Sequence, residues 1–99
     1  MITASIPTRE QLEQIVRELA PDVVRIRCQA SLDWSGDSAL YFRVILSDDA
    51  SAPARLWGVT EKVRSTLFRA LDLSESDPIP YFRFRSDSEQ AKIREQSWE

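Results

Sequence analysis

The residues best equipped for chemistry in this chain form a short motif written twice, Tyr41-Phe42-Arg43 and Tyr81-Phe82-Arg83. Each copy is followed closely by a Ser-Asp pair, Ser47-Asp48 and Ser86-Asp87. A guanidinium is a planar fork of donors matched to carboxylate and phosphate, and a tyrosine ring offers a stacking surface and a hydroxyl. Such groups recognise; they do not by themselves break bonds. Both copies read as strands, and alternation across a pleat puts Phe42, Val44, Leu46, Phe82 and Phe84 on one face. Tyr41, Arg43, Tyr81, Arg83 and Arg85 then point the other way, joined by Arg25 and Arg27 from an earlier alternating stretch. The expectation is one core face and one arginine and tyrosine face, with Trp34 in a nearby turn as a further contact residue.

The catalytic inventory is thin. There is no histidine, the commonest general base and metal ligand. No serine has a recognisable activating partner, and the lone cysteine, Cys28, sits in an apolar alternating stretch where it reads as a small buried hydrophobe. Two carboxylate pairs, Asp33 with Asp37 and Asp48 with Asp49, have the chemistry to hold Mg²⁺ with water completing its shell. Turn and helix-cap chemistry accounts for all four equally well. We therefore expect no catalytic residue, no metal and no cofactor, and keep a metal-dependent enzyme as the remotest reading.

The 99 residues carry 42% hydrophobic and 29% charged side chains, the composition of an ordinary globular chain, and predict a single domain over residues 1–99. Net charge is −3, which argues against the diffuse positive field behind non-specific nucleic-acid binding. Eleven of the 13 basic residues are arginines, a bias that fits an interface and equally a GC-rich coding sequence. A single cysteine forms no internal disulfide, and Met1 to Pro7 has neither a basic region nor an apolar run of signal-peptide length. A cytoplasmic protein with no membrane span is expected.

Several elements must position these residues. Thr8-Arg9-Glu10-Gln11 has capping-box spacing and opens a helix with Leu12, Ile15, Val16 and Leu19 at helical intervals, stopped by Pro21. Val23 to Ala30 reads as a strand with Val24, Ile26, Cys28 and Ala30 inward. The Asp33-Trp34-Ser35-Gly36-Asp37-Ser38 turn leads to a second strand, Leu40 to Ser47. Pro53 suits the first turn of a second helix reaching about Leu71, with Trp57 near its apolar side and Gly58 marking close packing. After the loop 72–80, Tyr81 to Arg85 form a third strand, and Asp87-Ser88-Glu89-Gln90 caps a short last helix. The order α-β-β-α-β-α predicts a two-layer α+β domain: a three-stranded, mainly antiparallel sheet with the two main helices on one face. The last helix either leaves the arginine face open or folds over it, pairing Glu89 or Glu95 with the arginines. Trp34 and Trp98 either fold back onto the core or stay exposed. An open strand edge would allow a homodimer.

Gly36-Asp37-Ser38-Ala39-Leu40-Tyr41 and the apolar strand it enters resemble the second half of the minimal nucleotidyltransferase motif, Gly-x-Ser-Asp-x-Asp. Ala39 and Tyr41 stand where that family has its two metal-binding aspartates, and Ala30-Ser31 replaces the Gly-Ser pair after the first strand. Transfer by that mechanism does not survive these losses. The layout from Arg25 through the Asp-Trp-Ser-Gly-Asp turn to Phe82-Arg83-Phe84-Arg85-Ser86 also resembles small bacterial proteins that accompany HEPN-domain proteins, a class containing RNases. In related toxin–antitoxin pairs the nucleotidyltransferase-like protein is the antitoxin. The resemblance implies a protein partner, and the face that carries Arg25, Arg27, Trp34, Tyr41, Arg43, Tyr81, Arg83 and Arg85 is the surface expected to bind it. RNA is the alternative ligand of that face, since sheet aromatics and arginines bind single strands.

Overall fold

Thr8 caps the first helix as its spacing requires: its side chain accepts from the Gln11 amide while the Gln11 side chain accepts from the Thr8 amide. The computed structural model describes residues 6–75 and 78–99; the reading of residues 1–5 and of 76 and 77 in the third loop lies outside them. Along the chain run α1 (Arg9–Leu19), β1 (Val23–Leu32), β2 (Ser38–Leu46), α2 (Pro53–Ala70), β3 (Ile79–Ser86), α3 (Asp87–Ile93) and a 3-10 turn (Gln96–Trp98). The α+β class and the order α-β-β-α-β-α are those expected.

The sheet order is β1-β2-β3, with β1 and β2 antiparallel. β3 lies parallel to β2, so the sheet is mixed rather than mainly antiparallel. The cause is the connection: β2 and β3 are neighbours joined through an 18-residue helix, and a helical crossover returns the chain in its original direction. Both main helices cover the same face. Leu12, Ile15 and Leu19 of α1 and Val59, Val63 and Leu67 of α2 join Val23, Ile26, Phe42, Val44 and Leu46 in one cluster, with Cys28, Phe82 and Phe84 packed against it.

Three inward assignments, Val24, Ala30 and Trp57, differ from expectation. A bulge between Val23 and Arg25 shifts the register of β1, so Val23 is buried while Val24 faces out; Ala30 keeps the phase of Ile26 and Cys28 but is exposed near the end of the strand. An extra residue in one strand reverses the inward phase on either side of it. In α2, Trp57 is 77% exposed instead of buried: it lies two residues before Val59, about 200° around the helix from the buried stripe. A Cβ at Gly58 would meet nothing within 4 Å, so that glycine marks no close packing.

Candidate functional site

Parallel pairing of β2 and β3 sets the two Tyr-Phe-Arg copies side by side in register. Tyr41 faces Tyr81, Phe42 faces Phe82 and Arg43 faces Arg83. On the core side Phe42 and Phe82 stack at 5.3 Å between ring centroids. On the opposite side Tyr41 and Tyr81 stack at 5.1 Å with planes 15° apart. Such pairs stabilise a sheet beyond the area they bury.

β1 extends these rungs. Gln29 pairs with Tyr41, and Arg27 with Arg43, so Arg27, Arg43 and Arg83 form one row across all three strands. Strands lie about 4.8 Å apart, and like charges in neighbouring positions repel. Glu13 and Glu99 act on Arg27, but among the described residues no carboxylate pairs with Arg43 or Arg83. Arg43 donates to the neutral Gln29 side chain at 2.9 Å, and exposed Arg83 makes no hydrogen bond or ion pair among the described residues. Burial holds the Arg27 guanidinium below its ordinary pKa, and the positive charges of Arg9 and Arg25 add to the effect.

The next row, Arg25, Ile45 and Arg85, is covered. The Ser86 side chain caps α3, accepting from the Glu89 amide while the Glu89 side chain accepts from the Ser86 amide. The capping pair therefore begins one residue earlier than the expected Asp87. Asp48 accepts from the Ser88 amide and hydroxyl, tying this turn to the loop after β2. At the end of α3, Arg94 adopts φ +54°, and its amide donates to the Gln90 carbonyl.

The segment beyond then lies on the arginine face. The buried Gln90 amide accepts from Arg85 at 2.8 Å and donates to the Glu95 carbonyl and the Glu99 carboxylate. The Trp98 ring lies 4.1 Å from the Arg85 guanidinium carbon. The Trp98 carbonyl accepts from Arg25 Nε at 2.9 Å and the Glu99 carbonyl from Arg27 Nε at 2.7 Å. Glu95 pairs with Arg85 at 3.0 Å, and Glu99 lies 3.8 Å from Arg25. Arg85 bonding holds the Glu95 carboxyl below its usual pKa. Trp98 is 3% exposed and Ile45 wholly buried. Of the two arrangements considered, the last helix and its extension cover this half of the face, with Glu95 rather than Glu89 on the arginines.

The hairpin turn closes the opposite end. The Asp33 carboxylate accepts from the Ser35 amide and hydroxyl, the Asp37 amide and the Tyr81 hydroxyl. The Ser35 bond is the largest cause holding the Asp33 carboxyl down to about 2, and the same contact with Tyr81 raises that phenol's pKa. Gly36 takes φ +89° in this turn, where a side chain would be strained. Trp34, next to Asp33, is 93% exposed.

The eight residues expected to form one surface are thus divided. Arg25, Arg27 and Arg85 hold the C-terminal segment. Tyr41, Arg43, Tyr81 and Arg83 lie on the part of the face beyond it, between that segment and the turn bearing Trp34. Sequence reasoning missed Gln29, Gln90 and Glu99, which hold Arg43, Arg85 and Arg27 from 5 to 72 residues away, and it missed the bond from Tyr81 to Asp33. The aspartates considered for Mg²⁺ are engaged in turns, caps and pairs: Asp37 accepts from Ser35 and Asp49 pairs with Arg55 at 2.6 Å. Among the described residues no group of three potential ligands gathers in a metal-binding arrangement, and no helix is long and apolar enough to cross a membrane. Comparison of this chain with family models, with curated proteins and with solved structures gives no match in any of the three.

Proposed function

We propose that this protein is a non-catalytic interaction module that binds a cognate protein through Tyr41, Arg43, Tyr81 and Arg83, with Trp34 at the margin. The observation that carries this reading is the row Arg27, Arg43 and Arg83, in which Arg43 and Arg83 have no carboxylate partner among the described residues. Stability is not served by stacking like charges across a sheet, so an outside anion is the natural complement. Exposed Trp34 adds a residue type enriched at binding hot spots. The resemblance to companions of HEPN-domain proteins makes an HEPN-type toxin or RNase the partner of choice, with this chain antitoxin-like and working in a bacterial cytoplasm.

Pull-down of the tagged protein from native lysate, with and without RNase, tests this. A stoichiometric protein should survive RNase and be lost with Arg43→Glu/Arg83→Glu. Its retention by the charge-reversed protein, checked for folding by circular dichroism, would remove this face from the reading.

A second reading, RNA binding, draws on arginines beside an aromatic pair. The ring geometry speaks against it. Rings stacked at 5.1 Å across neighbouring strands stand upright on the sheet and present edges outward, whereas base stacking needs open ring faces. A steep fall in RNA affinity with salt would favour this second reading.

A further inference from the structure

The covered half of the arginine face shows what the open half is built to take. On Arg25, Arg27 and Arg85 the C-terminal segment is held by three kinds of contact: an indole on a guanidinium, carboxylates on guanidinium groups, and main-chain carbonyls on Arg Nε. The last kind needs a segment whose carbonyls are free, since a helix uses its carbonyls internally. Arg43 and Arg83 repeat the guanidinium pattern one row along, about 6.8 Å away for a two-residue step. Arg43 is close enough for its charge to help lower the Glu95 pKa, yet among the described residues it has no carboxylate within 4 Å. Arg43 and Arg83 therefore continue the row in which Arg27 already holds the bound segment, and among the described residues they have no carboxylate partner of their own.

Granting the interaction reading above, we infer that the partner contributes an extended acidic segment with an aromatic residue, laid over Arg43 and Arg83 alongside the protein's own C-terminal segment. Its carboxylates pair with the two guanidinium groups and its ring packs against the upright Tyr41–Tyr81 pair. Arginine suits this role because its fork engages carboxylates bidentately and stacks on rings at once.

The test titrates the full chain into a fluorescein-labelled peptide, Asp-Glu-Ser-Trp-Glu-Asp, at low and physiological salt. Parallel titrations use the amide peptide Asn-Gln-Ser-Trp-Gln-Asn and a labelled uridine decanucleotide. The acidic peptide should bind, the amide peptide at least tenfold more weakly, and Arg43→Gln/Arg83→Gln should cost at least tenfold. Arg69→Gln, on an exposed position of α2, should change nothing. Equal binding of the two peptides, indifference to Arg43 and Arg83, or tighter binding of the decanucleotide overturns the inference. If the lysate partner is lost on charge reversal while no acidic peptide binds, the inference falls and the interaction reading stands. If the peptide binds through Arg43 and Arg83 but the partner ignores them, the acidic specificity stands and the assignment of that partner falls.

Discussion

Replacing Trp98 by alanine asks how much of the fold depends on the segment that covers the arginine face. The indole is 3% exposed, over a sheet face whose Ile45 is wholly buried. A buried indole removes on the order of 200 Å² from water, worth about 5 kcal/mol at 25 cal/mol per Å² if nothing rearranges. Alanine keeps the Cβ, and a three-residue 3-10 turn held by side-chain contacts can settle toward the vacated space. The expected loss is therefore about 3–4 kcal/mol, at the lower end for removal of a core tryptophan. Loss of the Arg85 contact lies within that figure, since a cation over a ring contributes roughly 0.5–1 kcal/mol where water still reaches it. For a domain of this size the melting temperature should fall by roughly 15–25 °C. Urea unfolding followed by far-UV circular dichroism is the assay, because Trp34 and Trp57 emit from a solvent-exposed setting in the folded state. A loss below about 1 kcal/mol with an unchanged urea slope would refute the reasoning, showing that the cover contributes little to burying the sheet.

Arg83→Glu places opposite charge beside Arg43, so the urea midpoint should stay level or rise, with any gain shrinking as salt is added; a clear fall would reveal a structural role for Arg83. The Asp33 carboxyl, depressed to about 2 by Ser35, Tyr81 and Asp37, should contribute stability in full above the unfolded value near 4 and lose it as pH falls through about 2. Comparing wild type with Asp33→Ala over that range checks the sign, and parallel curves would show that the turn bonds are not made. Trp57→Ser should leave stability within about 0.5 kcal/mol, as expected for an exposed position, and a larger loss in thermal melts would mean that the indole is packed. Burial pushes the Cys28 thiol up to about 11, so iodoacetamide at pH 8 should react on the order of a hundredfold more slowly than with a free thiol; equal rates would show that the inner face of β1 is open.

Local chemistry made much of this fold legible. The Thr8–Gln11 capping box, Pro53 at the start of α2 and the alternation in β2 depend on neighbours within a few residues, and the chain obeys them. The direction of β3 was harder to read, because a period of two is the same in both directions and only the helical crossover distinguishes them. The bulge at Val24 is likewise invisible to a pattern count, since it exists only against the partner strand. The arginine face was readable as a set of outward residues, but its division was not. That division depends on contacts such as Arg25 with Trp98, separated by 73 residues, and no periodicity in residues 94–99 announces them. Gln90 shows the same limit: a polar residue in a short helix reads as solvent-facing until its three partners are found.

The in-register pairing of the two Tyr-Phe-Arg copies bears on how the chain avoids growing beyond itself. β3 is an edge strand, and β2 already demonstrates that this tripeptide pairs with its own kind in parallel, ring on ring. An edge with that property is a template for further identical strands from other copies, the arrangement that leads to fibrous stacking. Each strand added in register would also extend the row of arginines by another guanidinium, and the repulsion would accumulate while the ring stacking merely repeats. The charges of this row thus act as a gatekeeper at the margin of the sheet, and any acidic ligand that neutralised the row would have to cover the edge it disarms.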